Sequence, residues 1–490
     1  MDATVLRRIL LLWIALLVLL SPEATPGQAP PAPEPAPQSA TPPDPLASLL
    51  QDRIPRRMRA HDVPGLNVLV LRGGEEPWSA SFGWADVEAG RPMTLDAVFR
   101  VESISKPVTA WGVVQLAESG ALDLDTPVQS YLRSWTLSAG VPPLTPRQLL
   151  SHTAGVGLGD YGARYPPDAP RPSLTESLES ELVMLGPPGQ AFAYSDTGYN
   201  LLEALVQEVT GEDFGAWMEE QVLLPLGMRS SSFDWDPSFA HRVPTAYDLK
   251  GRRVEPYVYP GRGSGGLFST VHDVGRFALA DSVPAPLHTP VARPTGLYGL
   301  VAEGYALGHF TETLSDGRSA MWHGGQGYGW MTHVHIVPET GDAIVLLANS
   351  QRAWPLFAHI LRAWSGSLGV APVRMSRIVW AAPVAWGVIV LALGSAALLV
   401  AGVLSRRGVR PGLGGRFLRP GRPGPVPRLG ALAVGIGLVG LVVWASLQDY
   451  LFLFSILPAA TGWLGMAGAL LGGALVAWGG IPAGDPGNPG

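Results

Sequence analysis

The sequence predicts an α+β fold: an antiparallel sheet flanked by helices, with a largely helical inserted domain, followed by three transmembrane helices. Three observations carry this expectation. Strand-like runs cluster at both ends of residues 46–365, and helix-like runs fill the middle. The 490-residue chain is 47% hydrophobic but only 15% charged, below the usual share for a soluble protein. Most of that deficit falls after residue 365, where long uncharged stretches begin.

Residues 1–24 carry Arg7 and Arg8, followed by an unbroken apolar run from Ile9 to Leu20. That run is too short to span a bilayer comfortably but suits the apolar region of a signal peptide. Ala24 and Ala29 supply small residues for cleavage, and an uncleaved anchor remains the alternative. Residues 25–45 are Pro-rich and nearly free of large apolar side chains, which predicts an extended, polyproline-like linker.

From Leu46 to about Ser365 the pattern is that of a packed domain. Leu66–Leu71, His333–Val337 and Ala343–Ala348 read as strands, and Val108–Ser119 and Tyr199–Val209 as amphipathic helices. Residues 45–365 hold 23 basic and 34 acidic side chains, a net charge of −11 that argues against nucleic acid as a partner. The chain has no cysteine, so disulfides, thiolate metal sites and cysteine lipidation are excluded.

Beyond the domain, 378–404, 429–447 and 451–482 are long and apolar enough to be read as membrane spans. The intervening 405–428 carries seven arginines and no acid, which predicts a cytoplasmic loop. The first span then runs from outside to inside and leaves 46–365 outside, as the signal peptide also implies. Arg374 and Arg377 on the outer side are a mild counter-signal.

Only two lysines occur, Lys106 and Lys250, against 34 basic residues in all. Arginine keeps its proton at any accessible pH, whereas a buried lysine can lose one. In "RVESISKPVTAW" (100–111), Ser103 and Lys106 are three apart and share a helix face, while Ser105 points roughly 100° around the axis. A neutral amine beside a hydroxyl can take its proton and activate it as a nucleophile. Neutrality near pH 7 requires lowering the lysine pKa by roughly three units, on the order of 4 kcal/mol. Burial or a neighbouring cation must supply that.

Two further stretches extend the pattern. "FAYSDTGYNLL" (192–202) places Tyr194 and Asp196 on a turn before an apolar helix. "MWHGGQGYGW" (321–330) sets His323, Gly324 and Gly325 on a strand edge, where backbone can approach a ligand. With these, the chain resembles the serine hydrolases related to class C β-lactamases and D-Ala-D-Ala carboxypeptidases, whose pattern is Ser-x-x-Lys, Tyr-x-Asn, then Lys-Thr-Gly or His-x-Gly. "LLSHTAGV" (149–156), "PLGM" (225–228) and "SGGLFSTVHDVGRF" (264–277) fit the family landmarks in order. The resemblance covers roughly 46–365. It implies Ser103 as the nucleophile of an acyl-enzyme, with Lys106 and Tyr194 sharing the acid–base work. It also implies an oxyanion hole from the backbone N–H groups of Ser103 and Gln326 and a substrate side lined by Asp196, His323, Gly324 and Gly325; no cofactor or metal is expected.

Two departures stand out. Position 196 is Asp where the family more often has Asn, and a carboxylate beside Lys106 favours the protonated amine. Position 323 is His where the β-lactamases usually have Lys. A neutral histidine there moves the expectation from penicillins towards esters, amides or short peptides.

The other features have plain expectations. His333 and His335 read as half-exposed strand histidines rather than metal ligands, and "FSTVHD" (268–273) as a turn and helix cap rather than a triad. Trp84, Trp111, Trp322 and Trp330 read as core, and Lys250 as a solvated loop residue. A small-molecule or peptide substrate and the membrane are the expected partners. The competing readings are an acylated sensor signalling through the membrane helices and a non-catalytic binding module of the same fold.

Overall fold

The computed structural model describes residues 45–73, 75–160, 163–281, 286–406, 424–446 and 452–480. The expected signal peptide and nearly all of the Pro-rich linker lie outside the described residues, as does most of the Arg-rich 405–428 loop.

In chain order the domain contains α1 (Pro45–His61), β1 (Gly65–Leu71), β2 (Trp78–Asp86), β3 (Arg91–Pro92), β4 (Phe99–Arg100), α2 (Ser105–Glu118), α3 (Asp196–Thr210), β5 (Phe268–Ser269), α4 (Val271–Asp281), β6 (Gly304–Tyr305), β7 (Phe310–Thr313), β8 (Ser319–Gly327), β9 (Trp330–Val337), β10 (Asp342–Ala348) and α5 (Trp354–Ser367). Eight strands form one antiparallel sheet in the order β3-β2-β1-β10-β9-β8-β7-β6. The N-terminal strands thus meet the C-terminal ones at β1–β10, where Leu66 pairs with Ala348. Between them the chain is mainly helical, as the periodicity predicts.

β1 and β10 are buried at every residue, which explains their unbroken apolar runs. The sheet is covered on both sides: α4 packs on β1, β9 and β10, while α5 packs with α1. In α1, Leu46, Leu50, Ile54 and Met58 recur every four residues and form the buried stripe. α3 starts where Ser195 Oγ accepts the Gly198 N–H at 2.8 Å, and it ends at Gly211 in the left-handed region (φ 74°).

The double covering corrects one expectation. His333 and His335 are fully buried rather than half-exposed, because α5 lays Trp354 and Trp364 against them. The two rings lie 3.4 Å apart at Nε2 and Nδ1, and His335 reaches Glu312, whose carboxyl burial pushes up to about 7. Among the described residues no group of His, Cys, Asp or Glu is arranged to hold a metal.

The apolar C-terminal part forms α6 (Ala381–Arg406), α7 (Pro425–Ser446) and α8 (Thr461–Gly479), each long and apolar enough to cross a membrane. The segment expected as one span over 451–482 is instead divided. A short helix, Phe452–Ile456, stops before Pro458, which lacks an N–H, and α8 starts three residues later. α7 and α8 touch at glycines: a Cβ on Gly435 would lie 2.6 Å from the Gly472 carbonyl oxygen. Small residues of this kind let helix backbones approach closely.

Candidate active site

The segment around Ser103 is pinned from two sides. β4 pairs with β5, and Val101 N–H donates to the Leu267 carbonyl at 2.9 Å. Glu102 then adopts φ +53°, a left-handed conformation that is costly for a non-glycine residue. A 3-10 turn over Glu102–Ile104 leads into α2 at Ser105. Ser103 therefore sits on the turn just ahead of the helix, and Lys106 in its first turn. Ser105 faces away, donating to the Glu102 carbonyl at 2.6 Å and accepting from Leu267 N–H at 3.0 Å. Its hydroxyl is structural.

Lys106 is completely buried. Its Nζ lies 3.1 Å from Ser103 Oγ, 2.5 Å from Asp196 Oδ1 and 2.8 Å from the Ser264 carbonyl oxygen. The carboxylate and the carbonyl can only accept. An unprotonated amine has two N–H bonds to give them, and its lone pair is left for the Ser103 hydroxyl. Burial lowers the lysine pKa, while Asp196, and more weakly Glu102, oppose that change.

The ring centroid of Tyr194 stands 4.9 Å from Lys106 Nζ. Burial holds the phenol well above its ordinary pKa, and Asp196 adds to this. The group is therefore a proton-bearing phenol rather than a ready tyrosinate. His152 packs against Tyr194 with ring centroids 4.4 Å apart, and its Nδ1 accepts from Ser195 N–H at 3.2 Å, which fixes the Tyr194 turn.

β8 closes the site. Its glycines are steric requirements: a Cβ on Gly325 would lie 2.1 Å from Thr332 Oγ1 and 2.2 Å from the Val101 carbonyl oxygen. On Gly324 it would strike Trp354 at 2.4 Å. Only glycine lets β8 press against the Ser103 turn. Gln326 lies farther along the strand, its Oε1 accepting from Trp354 Nε1 at 2.5 Å.

Glu102, Ser103, Asp196, Asn200, Ser264 and Gln326 line one cleft, together with Asp160, Glu181 and Tyr259. Among the described residues no lysine, arginine or histidine lines it. The fold thus gathers Ser103, Lys106, Tyr194 and Asp196 and sets Gln326 beside them. His323 is close by but behind the cleft wall, 1% exposed, with Nε2 3.3 Å from the Tyr305 hydroxyl and Nδ1 2.9 Å from the Gly324 carbonyl oxygen. Burial, reinforced by Lys106, pushes its imidazole well below the ordinary value, so it is neutral.

The family model described as Beta-lactamase matches residues 50–363. The chain belongs to the beta-lactamase family. Esterase EstB of Burkholderia gladioli is 28% identical over 361 residues, covering 62% of this chain and 91% of the esterase. Penicillin-binding protein 4 of Amycolatopsis lactamdurans is 26% identical over 363 residues, covering 67% and 91% respectively. Among solved structures, the octameric penicillin-binding protein homologue from Pyrococcus abyssi superposes with a TM-score of 0.57 at 25% identity, covering 66% of this chain and 78% of that one. This beta-lactamase-family protein is accordingly a serine hydrolase.

Sequence reasoning missed three parts of this site. Glu102 accepts from the Tyr257 and Tyr259 hydroxyls at 2.8 and 3.0 Å and pairs with Arg100 at 3.3 Å, with both charged side chains buried. Nothing in its spacing marks it except its place directly before the serine. The Ser264 carbonyl is a backbone group and carries no side-chain signature. His152 lay within the "LLSHTAGV" landmark, without a role. Of the remaining sequence candidates, none of Trp84, Trp111, Trp322 and Trp330 lines the cleft, and Lys250 is exposed in a turn. In "FSTVHD", Thr270 Oγ1 caps α4 by accepting the Asp273 N–H at 3.2 Å, and Asp273 binds Ser231 at 2.9 Å.

Proposed function

We propose that this protein is a membrane-anchored hydrolase outside the cytoplasm that acylates Ser103 with an uncharged ester, amide or D-amino-acid-containing peptide. The observation that carries the reading is the triple contact of buried Lys106 with Ser103, Asp196 and the Ser264 carbonyl. Ser103 Oγ gives its proton to Lys106 Nζ and attacks the substrate carbonyl carbon. The oxyanion is met by the backbone N–H groups of Ser103 and Gln326. Tyr194, beside Lys106, relays a proton to the leaving group as the C–O or C–N bond breaks, and water then releases the acyl group by the reverse proton path. The three apolar helices support the anchor, and the arginines of 405–428 support a cytoplasmic side for that loop.

Substrate charge is the finer part of this reading. Four carboxyl groups line the cleft and His323 is neutral behind it, so among the described residues no cation meets a substrate carboxylate. Uncharged esters are therefore expected to be turned over at least about tenfold better in kcat/KM than cephalosporins, which carry a carboxylate. Side-by-side steady-state kinetics decide this, and preferred cephalosporin turnover sinks it.

Asp196 gives the acid–base assignment its test. Activity needs Lys106 unprotonated, and the Asp196 carboxylate raises the lysine pKa. Asp196→Asn removes that contribution, so the lysine pKa drops further. The acidic limb of the kcat/KM profile should move to lower pH by about one unit or more. An unmoved limb would show that Lys106 is not the titrating base.

A further inference from the structure

Apolar surface on a globular domain asks for an explanation when it is grouped and flanked by cations. Such a group lies on the segment 291–301. Val291, Leu297 and Leu300 are 45%, 52% and 60% exposed, and Arg293 between them is exposed as well. Arg377 joins this surface from elsewhere in the chain: its Nη1 donates to the Leu300 carbonyl at 2.9 Å. Arg374, just before it, pairs with Glu303.

The covalent path identifies what covers this surface. Three residues after Arg377 comes Trp380, 60% exposed, and α6 starts at Ala381. A tryptophan at the mouth of an apolar helix is typical of the lipid headgroup layer. Leu300, tied to Arg377, is thereby held within a few residues of the point where the chain enters the bilayer. Exposed leucines beside arginines match that layer chemically, with apolar side chains for the acyl boundary and guanidinium groups for phosphate.

The same segment reaches the site from its other side. Leu297 precedes and Leu300 belongs to the single turn Tyr298–Val301, whose Tyr298 ring stacks on Tyr194 with centroids 5.4 Å apart and planes at 22°. Tyr194 in turn stands beside Lys106, its ring centroid 4.9 Å from Nζ.

We infer that Leu297 and Leu300, with Arg293 and Arg377, form a bilayer-docking surface that sets the Ser103 cleft beside lipid-borne acyl substrates. This rests on the membrane-anchoring reading, and the docking test separates the two. The chain has no cysteine, so single-cysteine variants of the full-length protein can carry an environment-sensitive fluorophore without background. The protein is placed in nanodiscs of phosphatidylcholine and phosphatidylglycerol with nitroxide-labelled lipids. Probes at Leu297→Cys and Leu300→Cys should be quenched about twofold by a nitroxide near the headgroup, as expected for side chains at the acyl boundary. A probe at Leu185→Cys, on a still more exposed residue of the domain, should not be. Leu391→Cys in α6 reports the anchor through a mid-chain nitroxide. Quenching at 391 with none at 297 or 300 overturns the docking surface and leaves the anchor standing. No quenching at 391 removes both. A second readout concerns catalysis: the double variant Leu297→Glu, Leu300→Glu should lose about tenfold in kcat/KM on an ester embedded in the nanodisc, reflecting lost interfacial binding. Its turnover of a soluble ester should match that of the wild type, which also verifies the hydrolase reading. Equal rates on both substrates in wild type and variant contradict substrate delivery from the bilayer.

Discussion

Lys106→Ala is expected to lower kcat/KM on a soluble ester by about three to four orders of magnitude, the usual worth of a positioned acid–base group. The side chain has no solvent to replace it, being fully buried, and no other described residue hydrogen-bonds Ser103 Oγ through a nitrogen. The loss should match that of Ser103→Ala, and the double variant should be no worse than either, because the two groups act in one step. Lys106→Arg should fail as well: a guanidinium keeps its proton and cannot accept the one from Ser103. A Lys106→Arg variant retaining near-native activity would show that a fixed positive charge, rather than a base, is what the site needs.

Glu102→Ala is expected to produce the largest loss of stability, about 3 to 5 kcal/mol, because it leaves a buried cation without its anion. Arg100 is 1% exposed and pairs with Glu102 at 3.3 Å, while Tyr257 and Tyr259 both donate to the carboxylate. A Cβ on Gly327 would lie 2.1 Å from that carboxylate, so Glu102 also fills the space between the nucleophile turn and β8. Its backbone is in the left-handed region, which adds a distinguishing comparison. Glu102→Gly should be more stable than Glu102→Ala by about 1 kcal/mol, since glycine accepts that conformation without strain. Urea unfolding in detergent, followed by near-ultraviolet circular dichroism, measures both. Equal stability of the Gly and Ala variants would mean that the turn relaxes once the carboxylate is gone.

What was legible in the sequence was what side-chain periodicity encodes. The strands at 65–71, 330–337 and 342–348 and the helices around Val113 and Leu205 follow from apolar spacing, and so does the grouping of strands at the two ends of the domain. The three-residue step from Ser103 to Lys106 was readable because it continues into a helix. The conflict between Asp196 and Lys106 was readable from chemistry alone, and the fold places the pair at 2.5 Å.

What escaped depends on groups or contacts that sequence does not display. The Ser264 carbonyl is common to every residue type. Glu102 owes its importance to a backbone angle and to tyrosines 155 and 157 residues away. The histidines of β9 alternate like a half-exposed strand, yet helices cover both faces of the sheet, and only the tertiary packing decides that. Pro458 marks a break inside an apolar stretch where hydropathy averages across it.

The central claim is that Ser103 is a nucleophile activated by Lys106. Intact mass spectrometry of the full-length protein in detergent, after exposure to a fluorophosphonate, tests it most directly. The expected result is one adduct, mapped to Ser103, that disappears in folded Lys106→Ala. A folded wild-type protein that takes no adduct, or takes it at Ser105 or another serine, would contradict it.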